Sequence, residues 1–153
     1  MSCRAALAVV VPLLLLVGAV GCGGGSDGRT VEKAEFVHQA NNLCAKIGRE
    51  IAAAGATIIR KSKDPTSAKA QTEITGKVLV PSFEKELQQL RALDAPSGEE
   101  PQVERVMTAL NETVTRLRTA PPIETNSSFK ENHPYRPGEE IAAAYGLTSC
   151  GHP

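Results

Sequence analysis

The run Phe36-Val37-His38-Gln39-Ala40-Asn41-Asn42-Leu43-Cys44-Ala45-Lys46-Ile47-Gly48-Arg49-Glu50-Ile51 decides the fold. Phe36, Ala40, Leu43 or Cys44, Ile47 and Ile51 recur at steps of three and four, and Ala54 and Ile58 extend the series. At 3.6 residues per turn these positions share one side of a helix, so a single apolar stripe of about six turns is expected. Thr30 is placed to cap its start, with Glu32 in the first turn facing the positive end of the dipole. Arg60, Lys61 and Lys63 stand at the other end, where cations are favoured.

Two further amphipathic stretches follow. Asp64-Pro65 reads as a cap followed by proline at the first helical position. It opens a helix to about Leu93 that buries Ala70, Ile74, Val78 or Leu79, Phe83, Leu87 and Leu90. Gly76 weakens it by about 1 kcal/mol relative to Ala. Pro81 has no N–H for the carbonyl of Lys77, so a kink or short break is expected there. After the Ala95-Pro96-Ser97-Gly98 loop, a third helix carries Val103, Val106 or Met107, Leu110, Val114 and Leu117, and Pro121-Pro122 ends it. Residues 121–138 are the least regular stretch. A short last helix from Gly138 to Tyr145 closes on Gly146, in the left-handed position, with Leu147 making the accompanying apolar contact. Three long helices and a short one, joined by compact loops, predict an all-α, up-and-down bundle over residues 31–153.

Composition narrows the function classes. Among 153 residues, 17 Lys+Arg balance 17 Asp+Glu, and the aromatic side chains are 3 Phe and 2 Tyr. A neutral, ring-poor chain has no basic excess for phosphates and few platforms for bases, which argues against nucleic acid as a general partner.

The first 21 residues read as an export signal. Arg4 is the one charge, and Ala5 to Val20 is uncharged. As a helix that stretch spans roughly 24 Å, short of a ~30 Å hydrocarbon core, and Pro12 and Gly18 weaken it further. A cleaved signal fits better than a transmembrane anchor. Cys3 lies within it and leaves with it. Gly18-Ala19-Val20-Gly21-Cys22 resembles the bacterial lipobox, although Ala19 stands where Leu is usual. That resemblance implies cleavage before Cys22 and a thioether-linked diacylglycerol on its sulfur, placing the chain on the outer face of the cytoplasmic membrane. Residues 22–30, rich in glycine, then form a tether whose expected reach is only about 15–20 Å.

Removal of Cys3 and lipidation of Cys22 leave Cys44 and Cys150. Outside the cytoplasm an even pair of thiols favours a bridge, and joining these two closes a loop worth up to roughly 4.7 kcal/mol in chain entropy.

Phe36-x3-Ala40-Asn41-x2-Cys44 near the start of the first helix and Tyr145-Gly146-Leu147-x2-Cys150 near the end resemble small uncharacterised lipoproteins of actinobacterial type. Such proteins join a Cys-Gly-rich leader to an all-helical body, so the resemblance implies architecture and location. Pro134 and Pro137 depart from the more continuous last helix expected of a typical relative.

The chemistry-bearing residues form no familiar site. His38, Asn42 and Cys44 are close in sequence, but a bridged cysteine cannot act as a nucleophile, and no hydrolase signature surrounds them. The more economical reading is a surface His38, with Asn41 and Asn42 satisfying backbone groups. His38, His133 and His152 fall in no metal-ligand spacing, and Met107 lies on an apolar stripe. Glu99-Glu100 and Glu139-Glu140 stand at helix starts, where dipole compensation accounts for them. No catalytic residue, cofactor or metal is therefore expected. The chain reads as a membrane-anchored, extracytoplasmic binding or scaffolding module with an envelope protein as its possible partner. The competing reading is a small-ligand carrier or sensor with a cavity lined by Phe83, Met107 and Phe129.

Overall fold

The computed structural model describes residues 31–119 and 135–152. Within them all regular structure is helical: α1 (Lys33–Lys61), α2 (Ala68–Ile74), a π-turn (Thr75–Leu79), α3 (Val80–Leu90), α4 (Glu100–Thr119) and α5 (Arg136–Tyr145). The expected bundle of three long helical arms and a short final helix is present.

Phe36, Ala40, Cys44, Ile47 and Ile51 of α1 are buried, as their spacing requires. They share one core with Val78, Leu79, Phe83, Leu87 and Leu90 of the second arm and with Val103, Val106, Met107, Leu110, Val114 and Leu117 of α4. Each fully buried aliphatic side chain contributes about 1.5–3 kcal/mol through removal from water. The arms alternate in direction, as three cross-links show. Lys33 pairs with Glu99 at 3.0 Å, Glu50 with Lys85 at 2.6 Å, and Glu84 with Arg118.

The 29 residues of α1 run about 43 Å and pack chiefly on the second arm. Ile58 near its end is half-buried, and Ala54 is exposed, against expectation.

Helix starts differ from the sequence reading. Thr30 lies outside the described residues; the residue at the cap position is Glu32, whose backbone is extended and whose carbonyl accepts from Phe36 N–H at 3.1 Å. Glu35, not Glu32, is therefore the acid of the first turn. The second arm starts three residues late. Asp64 Oδ1 is occupied by the N–H and hydroxyl of Thr66, at 2.9 and 2.7 Å. Ser67 caps instead, its Oγ accepting from Ala70 N–H at 3.3 Å.

Pro81 does not break the arm. The turn ahead of it widens, and Val80 N–H bonds to Thr75 O, five residues back. Proline then sits in the first turn of α3, where its missing N–H leaves no gap. The extra residue in the turn lets Val78 and Leu79 both face the core.

The last helix begins at Arg136, two residues before Gly138, since Pro137 is tolerated in a first turn. Gly138 is where α5 touches α4. A Cβ there would collide with Thr113 Oγ1 and come within 3.1 Å of Ala109 O. At the other end Gly146 has φ 111°, with Gly146 N–H bonded to Ala143 O and Leu147 N–H to Ala142 O. Leu147 is completely buried, which completes the expected ending.

Candidate functional site

Two places in the bundle concentrate polar groups: a clamp that holds the C-terminal segment, and a groove at the tip formed by α1 and α2.

The clamp is built on α1. Cys44 and Cys150 are joined in a disulfide, with Cα atoms 5.0 Å apart and 106 positions between them. One turn earlier, Asn41 Nδ2 donates to Gly146 O and its Oδ1 accepts from Ser149 N–H, both at 2.9 Å. A single amide thus satisfies one donor and one acceptor of the returning chain. Asn42 plays a different part, lying 3.2 Å from the ring of exposed His38.

Behind the disulfide lies Glu86 of α3, only 2% exposed. Its Oε1 accepts from Gly151 N–H at 3.1 Å. Burial pushes its carboxyl from 4.5 up to about 7, partly offset by the Gly151 hydrogen bond and by attraction to His152. Gly151, at φ 81°, fits tightly: a Cβ would meet Leu110 Cδ2 at 2.8 Å. Glu86 and the sulfurs of Cys44 and Cys150 lie within 4.8 Å of one another. With the sulfurs bonded together no thiolate is left for a metal, and Cys44 has none for nucleophilic attack.

Beside the clamp, Lys33 joins the start of α1 to the rest of the bundle. Its Nζ bonds Glu99 and stands 4.4 Å from the ring centroid of Tyr145, which meets Phe36 edge-on at 6.1 Å. The lysine holds the Glu99 carboxyl below its usual range.

The groove is a half-open space of about 480 Å³ between the end of α1 and α2. Lys61, Lys63 and Lys69 line it with Asp64, Ser67 and Glu73. Glu73 pairs with Lys77 at 2.8 Å, and its carboxyl is held low first by Lys77 and then by Lys69 and Lys61. Lys61, Lys63 and Lys69 make no ion pair among the described residues.

Several sequence expectations find their places here. Arg60 and Lys61 stand in the last turn of α1 and Lys63 follows it, and both lysines line the groove. Phe83 and Met107, expected to line a cavity, are packed in the common core at 3% and 1% exposure. Phe129, His133 and the signal, lipobox and tether residues, Cys22 included, lie outside the described residues. Glu86 escaped the sequence reading, yet its position was a signal: it falls between Phe83 and Leu87 on the buried face of α3. No described helix is long and apolar enough to cross a membrane.

No protein-family model, curated protein or solved structure matches the chain.

Proposed function

We propose that this chain is a lipid-anchored, extracytoplasmic helical module that binds or scaffolds other components of the cell envelope without catalysing a reaction. The Cys44–Cys150 disulfide is the observation that carries the reading. Such a bridge forms and persists outside the reducing cytoplasm, which agrees with the export signal and lipobox-like segment that end at Cys22. The resemblance to small actinobacterial-type lipoproteins points the same way. On this reading, acyl chains on Cys22 attach the chain to the outer face of the cytoplasmic membrane, each buried methylene contributing about 0.8 kcal/mol.

The bundle suits a display role. The disulfide, the Asn41 clamp and the Lys33 contacts all hold the start of α1 and the C-terminal segment together, next to the tether. A domain fastened there resists fraying at the end that meets the membrane. Radiolabelled palmitate is expected to enter the wild-type protein, and Cys22→Ala is expected to abolish the label and release the protein from membranes. An unlabelled mutant protein that stays in the membrane fraction would overturn the anchor.

A further inference from the structure

The tip formed by the end of α1 and α2 is polarised in an otherwise neutral chain. From Ile59 to Lys77 there are five cations, Arg60, Lys61, Lys63, Lys69 and Lys77, against Asp64 and Glu73. Both carboxylates are engaged, Asp64 with Thr66 and Glu73 with Lys77, while Lys61, Lys63 and Lys69 share the groove unpaired among the described residues. Lysines around a half-open groove match the anionic phosphate layer of a bilayer surface.

Position supports the same occupant. The tip lies at the far end of α1 from the tether, about 43 Å away along the helix. On the anchored reading, the expected reach of residues 22–30 holds the start of α1 within about 15–20 Å of the membrane. If α1 lies along the surface, the other end comes down to the same plane.

We propose that this tip is a second membrane contact: Lys61, Lys63 and Lys69 seat the phosphate headgroups of anionic lipids, while acyl chains on Cys22 hold the opposite end of α1. The inference rests on the anchored reading above. It makes the anchored domain lie flat rather than stand on its tether, leaving the faces turned away from the bilayer for envelope partners. The attraction is strong only within a Debye length of about 8 Å at physiological salt, so it acts once the tether has brought the tip close.

The test uses the lipidated protein on vesicles of phosphatidylcholine, with and without phosphatidylglycerol, and an amine-reactive reagent read by peptide mass spectrometry. Flotation with pure phosphatidylcholine reports the anchor alone, so failure of the anchored reading is seen separately as protein that does not float. With phosphatidylglycerol present, Lys61, Lys63 and Lys69 are expected to react about fivefold more slowly relative to Lys85, and high salt is expected to remove the difference. Amide hydrogen exchange over residues 61–70 is expected to slow on anionic vesicles only, and a Lys61→Glu, Lys63→Glu, Lys69→Glu variant, checked for fold by circular dichroism, is expected to exchange there equally on both vesicles. Equal lysine reactivity on both vesicles would overturn the proposal. So would equal protection on both, which would mean that another part of the chain covers the groove. Protection on pure phosphatidylcholine by millimolar glycerol phosphate alone would assign the groove to a free phosphate and likewise overturn it.

Discussion

Glu86→Gln is expected to stabilise this protein at neutral and alkaline pH and to leave it nearly unchanged in mild acid. Glu86 is buried behind the disulfide with one defined donor, Gly151 N–H. Its carboxyl ionises near 4.5 in the unfolded chain and at about 7 in the folded one. Below pH 4.5 it is neutral in both states and costs nothing. As the pH rises from 4.5 to 7 the unfolded chain releases a proton that the folded chain keeps, so stability falls across that window. Above it the loss is complete, about 3 kcal/mol at about 1.4 kcal/mol for each unit between the two values. Glutamine keeps a carbonyl for Gly151 N–H and carries no charge at any pH. Urea unfolding followed by far-UV circular dichroism therefore reads two numbers. At about pH 8 the variant is expected to be more stable by about 2–3 kcal/mol, and at about pH 5 the two proteins agree within about 1 kcal/mol. A variant equal to or less stable than the wild type at about pH 8 would refute the reasoning, since Glu86 would then not be a desolvated carboxylate.

Three other outcomes follow from the packing. Replacing both Cys44 and Cys150 by Ala is expected to lower stability by about 4–5 kcal/mol in the same urea assay, from the loop that the bridge closes. Gly138→Ala forces a methyl group against Thr113 Oγ1 and is expected to cost about 1–3 kcal/mol, with only partial recovery in the Gly138→Ala, Thr113→Ala double variant because Ala109 O stays close. Asn41→Ala leaves Ser149 N–H and Gly146 O without their partner, and is expected to cost about 1–3 kcal/mol. Amide hydrogen exchange would show that loss concentrated at residues 146–151.

What the sequence disclosed was local periodicity and pairing arithmetic. The buried positions from Phe36 to Ile51 follow from spacing alone, because that whole face of α1 lies in the common core. Gly146 was legible because one residue type suits its backbone. Cys44 and Cys150 were legible on the expectation that Cys3 is cleaved off and Cys22 lipidated, which leaves two thiols to pair. Competition between equivalent local choices was not legible. Asp64 and Ser67 both have capping chemistry, and Thr66 decides between them by taking the aspartate. Gly76 and Pro81 announced trouble in the second arm, but the widened turn that absorbs it depends on Val78 and Leu79 both finding room in the core. The clamp was hidden for a related reason. Glu86 meets its donor 65 positions away and Asn41 meets its partners 105 and 108 away, separations at which no pattern in the sequence specifies contact.

The covalent state of the native polypeptide is the most direct test of an anchored, disulfide-closed bundle. Intact-mass analysis of protein extracted from membranes is expected to give a chain that begins at Cys22 and carries diacylglycerol, with no sulfhydryl reactive to an alkylating reagent before reduction. A mass that retains the leader, or alkylation of Cys44 and Cys150 without reduction, would contradict it.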